Sequence, residues 1–273
     1  MPVRLPEVSP LLDEAGLPLH GFCRFEDIRP RLLSCRAAGR LPADTAVIIV
    51  ALFPYRFPDD GGPRNLCRYA SVPDYHAVAG DVLRRACARL TGRFPSLSFE
   101  PFIDNSPIPE VSAASLAGLG CIGDHGLLIH PQYGSYVFIG SIATDAPWPI
   151  PAGRISLCPH CGACSTACPG QCLSGGRLDR SRCLSFLTQK KGSLAPKEER
   201  LIRDNGLIWG CDTCQEACPL NRDTACKPHP CFGEYRPLAL PADLDNPDGK
   251  AYGWRGTQIL RRNWAICYGQ NRE

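Results

Sequence analysis

Two cysteine runs decide how this chain is read. The first is Cys158-Pro159-His160-Cys161-Gly162-Ala163-Cys164-Ser165-Thr166-Ala167-Cys168-Pro169, and the second is Gly210-Cys211-Asp212-Thr213-Cys214-Gln215-Glu216-Ala217-Cys218-Pro219. The first has the spacing C-x2-C-x2-C-x3-C-P. The second, C-x2-C-x3-C-P, is the same pattern short of one cysteine. Zinc sites also use C-x2-C pairs, but a zinc ribbon has no use for a third cysteine at this spacing or for the x3-C-P closure. The spacing fits [4Fe–4S] clusters of the bacterial ferredoxin type.

Each such cluster takes four thiolates, and the pre-proline cysteine of one motif serves the other cluster. Cys158, Cys161 and Cys164 therefore hold cluster 1, completed by Cys218. Cys211, Cys214 and the crossing Cys168 hold cluster 2, which leaves one position open. Cys183, on a helix expected over 180–189, is the first candidate for it. Cys172, Cys226 and Cys231 are weaker candidates.

Outward from this module, the composition is that of a globular chain: 273 residues, 44% hydrophobic, 21% charged, net charge +3. That length holds one large or two smaller domains. The charge permits a nucleic-acid partner without demanding one. Seventeen cysteines would suit a disulfide framework, which needs an oxidising compartment. Against it stand the odd count and the start, Met1-Pro2-Val3-Arg4-Leu5-Pro6, which lacks the apolar core of a signal peptide. The longest apolar run, Ala46 to Pro54, is too short to span a bilayer. The expectation is a cytoplasmic protein with no membrane partner.

Before the module, Thr45 to Phe53 is a nearly continuous apolar, β-branched run, the pattern of a strand buried on both faces. Gly21-Phe22-Cys23 ends a short strand, and residues 28–38 form a short helix. Asp74 caps a helix through Leu90, with Tyr75, Val78, Val82, Leu83 and Ala86 on one face. Strands follow at 97–103, 127–129 and 136–142, with a helix at 110–119. Pro147, Pro149 and Pro151 form a linker. Helices are expected at 180–189, 197–205 and 257–268. The fold class is α+β: a mixed-sheet α/β domain over 1–150, a ferredoxin-like double-cluster module over 151–235, and a tail with one helix over 236–273. An electron carrier needs only the module. A folded domain in front of it favours an enzyme.

Two stretches of that domain carry candidate chemistry: Arg68 to His76, and Phe102 to Glu110 with Ala117 to Gly123. Asp104 ends an expected strand. It serves as a general acid if an apolar pocket raises its pKa, or as a plain turn cap. Gly118, Gly120 and Gly123 suggest close backbone approach to something bulky. No long helix follows them, so they are not read as a nucleotide site.

Taken together, these residues resemble the epoxyqueuosine reductases, cobalamin- and iron–sulfur-dependent enzymes related to reductive dehalogenases. The resemblance runs over about residues 44–222. It is carried by Asp74-Tyr75-His76, Asp104 with Ser106-Pro107, Ala117-Gly118-Leu119-Gly120, Leu127-Leu128-Ile129, Tyr133-Gly134-Ser135, Thr144-Asp145 and the cysteine framework, with an echo at Arg262-Asn263-Trp264-Ala265-Ile266. It implies a cobalamin between sheet domain and module, contacted by Arg68, Tyr69, His76, Asp104, Gly118, Gly120, Gly123 and Ser135. It also implies Asp104 as the acid and a cysteine between the motifs as the last cluster ligand. The implied substrate is epoxyqueuosine in a tRNA anticodon stem-loop, in a monomer served by a separate electron donor. Phosphate contacts would come from Arg177, Arg180, Arg182, Lys190, Lys191, Lys197, Arg200, Arg203, Arg255, Arg261 and Arg262. The chain departs from the family at Asp124-His125-Gly126, where members have Lys, then Asn or His, then Thr. It also has Cys121 where members have Trp, and Ser141 where they have Glu.

Overall fold

Strand β2 (Val47–Pro54) is buried along its whole length and forms the centre of the sheet. Its odd residues Val47, Ile49, Ala51 and Phe53 join one core, while Ile48, Val50 and Leu52 join another on the opposite face. With both faces covered, the strand needs no polar alternation, which is why the run reads as continuously apolar. These observations come from a computed structural model that describes residues 2, 4–58, 61–241 and 247–269.

Helix α1 (Ser9–Glu14) and strand β1 (His20–Arg24) precede β2, with α2 (Phe25–Ile28) between the strands. The helix expected over 28–38 is not continuous. Pro30 lacks an N–H donor, and short 3₁₀ turns at Arg29–Arg31 and Arg36–Arg40 take its place. Helix α3 (Tyr75–Arg93) starts at Asp74, whose carboxylate accepts from the His76 N–H at 3.0 Å. It buries Ala79, Val82, Leu83, Ala86 and Leu90 against the odd face of β2. Strand β3 (Phe99–Ile103) follows, then α4 (Glu110–Leu116), which packs on the even face and stops before Gly118, at φ +75°.

The pair β4 (Cys121–Ile122) and β5 (Leu128–Ile129) forms a small sheet of its own, and β6 (Val137–Thr144) enters the main one. The main sheet has the order β1-β2-β6-β3, and all three ladders are antiparallel. The expected mixed sheet is corrected here. Strands β2 and β3 run in the same direction, as the crossover through α3 requires, but β6 lies between them and opposes both.

The module carries α5 (Ala163–Ala167), α6 (Leu184–Gln189), α7 (Pro196–Asn205) and α8 (Thr213–Glu216). The helix expected from residue 180 begins only at Leu184. Arg180–Arg182 is a 3₁₀ turn, and Cys183 is the extended residue capping α6. Helix α9 (Thr257–Tyr268) lies where the sequence places it. Its fully buried Asn263 donates to the Thr188 and Ile208 carbonyls at 2.7 and 2.8 Å, fastening α9 to the module. Leu238, Tyr252, Ile259 and Leu260 share a core with Leu66, Cys67, Ala70, Ile208 and Trp209. The C-terminal segment thereby covers the seam between sheet and module.

Candidate metal centres and active site

The cysteines gather around two cavities. Cys158, Cys161, Cys164 and Cys218 line one of about 130 Å³, and Cys168, Cys172, Cys183, Cys211 and Cys214 line a second of about 310 Å³. The crossing is visible: Cys168 leaves the first loop for the second cavity, and Cys218 leaves the second loop for the first. Left-handed residues shape the first loop, at His160 (φ +54°), Gly162 (φ +76°) and Gln171 (φ +49°). Cys183 reaches the second cavity from its cap position. Cys172 reaches it too, with its Sγ 3.3 Å from the Sγ of Cys168. Cys226 and Cys231 line neither cavity.

Burial pushes several of these thiols up. Cys214 rises to about 12, and Cys164, Cys211 and Cys218 also lie above the ordinary range. Converging buried thiols without a cationic side chain are a poor place for thiolate unless a metal supplies the charge. The donor sets therefore fit iron–sulfur clusters. The mouth of the first cavity also holds His160 Nδ1, 2.7 Å from Asp124 Oδ1 and close to the Cys158 thiol.

The second cavity continues into an open trough of about 550 Å³ that contains Asp104. The two share Leu178, Cys183 and Ser185. The inner part is floored by Tyr55, Tyr69, Leu127, Val137 and Phe138, with Ser135 among them. Exposed apolar side chains, Leu127, Leu178, Phe186 and Trp254, border it, and such a concentration on one surface marks a binding site. An apolar floor and rim of this extent fit a flat macrocycle such as a corrin.

Asp104 and Asn105 adopt φ +47° and +35°, turning the chain sharply after β3. The turn presents the Asp104 carboxylate to His76 Nε2 at 3.0 Å and to the Tyr75 hydroxyl at 3.1 Å. The second imidazole nitrogen of His76 meets Asp74 at 2.6 Å. Phe138, Tyr75 and His76 stack in turn, with centroids 4.0 and 4.1 Å apart, so the trough floor leads to the carboxylate. The condition set for Asp104 as a general acid, an apolar pocket that raises its pKa, is not met. The hydrogen bond from His76 holds the carboxyl down at about 2. Burial acts to lower His76, but its bonds to Asp104 and Asp74 outweigh this and hold it above its ordinary 6.5. The proton of the pair therefore rests on the imidazole. Glu110 accepts from the Asp104 N–H at 3.1 Å; burial first and the Asp104 charge second push it up to about 8. Sequence reading missed Glu110, because an acidic residue opening a helix looks like ordinary dipole pairing.

Several other expectations for the cofactor pocket change. A Cβ on Gly120 would lie 2.4 Å from the Ile129 carbonyl, and one on Gly123 would lie 2.5 Å from the His125 ring. Gly118 ends α4. The close approach at these glycines is to the chain itself. Arg68 faces the module, its N–H on Asp212 at 2.7 Å and its guanidinium on Glu216 at 2.9 Å. Tyr69 does line the second cavity, with its hydroxyl accepting from Trp209 Nε1 at 2.7 Å. Ser135 donates to Gln215 at 2.9 Å, coupling the floor to the second cysteine loop. Of the basic candidates, Arg180, Lys190, Lys191 and Arg255 border the trough. Arg262 is instead spent on the Lys190 and Gly192 carbonyls, and Arg203 on Ile266.

Residues 157–221 match the 4Fe-4S double cluster binding domain, so the fold and site define an α+β protein with a double-cluster module. A relative from Bacillus cereus, an epoxyqueuosine reductase, is 32% identical over 252 residues, covering 85% of this chain and 66% of the relative. One from Vibrio cholerae, also an epoxyqueuosine reductase, is 32% identical over 262 residues, covering 88% of this chain and 70% of the relative. The crystal structure of epoxyqueuosine reductase with a tRNA-Tyr epoxyqueuosine-modified tRNA stem loop superimposes with a TM-score of 0.80 at 25% identity, over 95% of this chain and 79% of that one. The chain belongs to the epoxyqueuosine reductase family. It spans between 50% and 70% of the length of these and similar curated relatives.

Proposed function

We propose that this chain reduces epoxyqueuosine in a tRNA anticodon stem-loop to queuosine, using cobalamin supplied with electrons by two [4Fe–4S] clusters. The observation that carries the reading is the continuous trough from the second cysteine set to the Asp104–His76 pair. It joins an electron supply to a proton supply across an apolar floor. The reaction consumes two electrons and two protons, breaks both epoxide C–O bonds, and yields an alkene and water.

Cluster 1 rests on Cys158, Cys161, Cys164 and Cys218, and cluster 2 on Cys168, Cys183, Cys211 and Cys214. Tyr69, Ser135, Val137 and Phe138 would hold the cobalamin, which supplies a low-potential, two-electron metal centre. His76 holds a proton at Nε2, and Asp104 orients and passes it. Exclusion of water falls to the apolar rim of Leu178, Phe186 and Trp254. Arg180, Lys191 and Arg255 are positioned to take tRNA phosphates. Residues 1–150 would serve cofactor and substrate, 151–235 the clusters, and 236–273 the seam between them, in a cytoplasmic monomer reduced by a separate donor.

No helix among the described residues is long and apolar enough to cross a membrane. The test is anaerobic incubation of the cluster- and cobalamin-loaded protein with a chemical reductant and epoxyqueuosine-tRNA, followed by nucleoside analysis. Queuosine is the expected product. A fully loaded protein that binds no tRNA and yields none would redirect the site to a different electrophile.

A further inference from the structure

His125 lies between the two cysteine cavities and, among the described residues, is the one that lines both. Only 5% of it is exposed. Its Nδ1 accepts from the Leu127 N–H at 3.2 Å. A backbone N–H can only donate, so Nδ1 carries no proton and the neutral ring carries its proton on Nε2. That Nε2 is buried and has no hydrogen-bond partner. Gly123 is shaped for the ring, since a Cβ there would meet Cε1 at 2.5 Å and both nitrogens at 2.9 Å. A buried donor is costly when unpaired, and the cavities on its two sides are the ones lined by the two cysteine sets.

We infer that His125 Nε2–H donates a hydrogen bond to cluster sulfur at the junction of the two centres, raising the reduction potential of the cluster it contacts. The inference rests on the two-cluster reading above. A hydrogen bond to sulfur stabilises the more negative, reduced cluster, which makes reduction easier. Because Nε2 bears the proton, His125 is a donor to the cluster and not an iron ligand. Its role is positioning and tuning.

The test compares wild type, His125→Leu and His125→Gln, each reconstituted anaerobically, by iron and sulfide content and by redox titration followed by electron paramagnetic resonance. His125→Leu is expected to keep its iron while one cluster becomes about tenfold harder to reduce, about 59 mV for one electron. His125→Gln, which keeps a donor, is expected to return toward wild type. Unchanged potentials in His125→Leu would overturn the proposal. If the leucine variant loses iron, pulsed measurements on wild type labelled with ¹⁵N-histidine decide. A weak coupling supports the hydrogen bond, and no coupling or a ligand-strength coupling overturns it. A wild-type protein with fewer than two clusters would overturn the cluster assignment itself.

Discussion

Glu110→Gln gives the sharpest test of the electrostatics beside Asp104. The carboxyl rises from 4.5 to about 8 on folding, through burial first and the neighbouring Asp104 charge second. A raised folded pKa means that the stability from protonated Glu110 is complete below 4.5 and is lost as pH climbs toward about 8. Each pH unit in that window costs about 1.36 kcal/mol, so at pH 7 the native state has given up about 3 kcal/mol. Residual solvent contact at Glu110 brings this nearer 2 kcal/mol. Glutamine keeps the acceptor for the Asp104 N–H and never ionises. The variant should melt about 5–10 °C above wild type at pH 7 and level with it at pH 4.5. The assay is an anaerobic thermal melt of both proteins at equal iron content across that range. A gain independent of pH, or none at pH 7, would refute the claim that Glu110 is held protonated by its surroundings.

Cys183→Ala should remove the second cluster and spare the first, halving the iron; Cys172→Ala should keep both, and the reverse pattern would make Cys172 the ligand. Asp104→Asn should retain clusters and cobalamin by absorbance yet lose turnover by about a hundredfold or more, because the His76 proton loses its carboxylate partner. Asn263→Ala leaves the Thr188 and Ile208 carbonyls unpaired and should cost about 1–3 kcal/mol, read as faster proteolysis of α9.

Much of this protein was legible in the chain itself. Cysteine spacing is a local property, and counting ligands across the two motifs predicts the crossing by which Cys168 lines the second cavity and Cys218 the first. The doubly buried strand was equally legible, because burial on both faces removes polar alternation from Val47 to Pro54. The left-handed turn at Asp104 left only the weak trace of an Asp-Asn pair.

The chain alone supplies the groups: two cysteine motifs whose spacing calls for interleaved cluster ligands with one position left open, a central strand, and a carboxylate at the end of another. Which way those groups behave was decided by the tertiary structure alone. The chain left open whether a pocket raises Asp104 or a turn merely uses it as a cap; it is lowered, because His76, 28 residues away, meets it at 3.0 Å. Glu110, given no role from the chain alone, takes the raised pKa instead. The glycines that suggested a bulky ligand accommodate Ile129 and His125. Motif spacing follows the chain, but pKa, proton location and close approach depend on distances in space, and those are set by how α3, β3 and the module pack together.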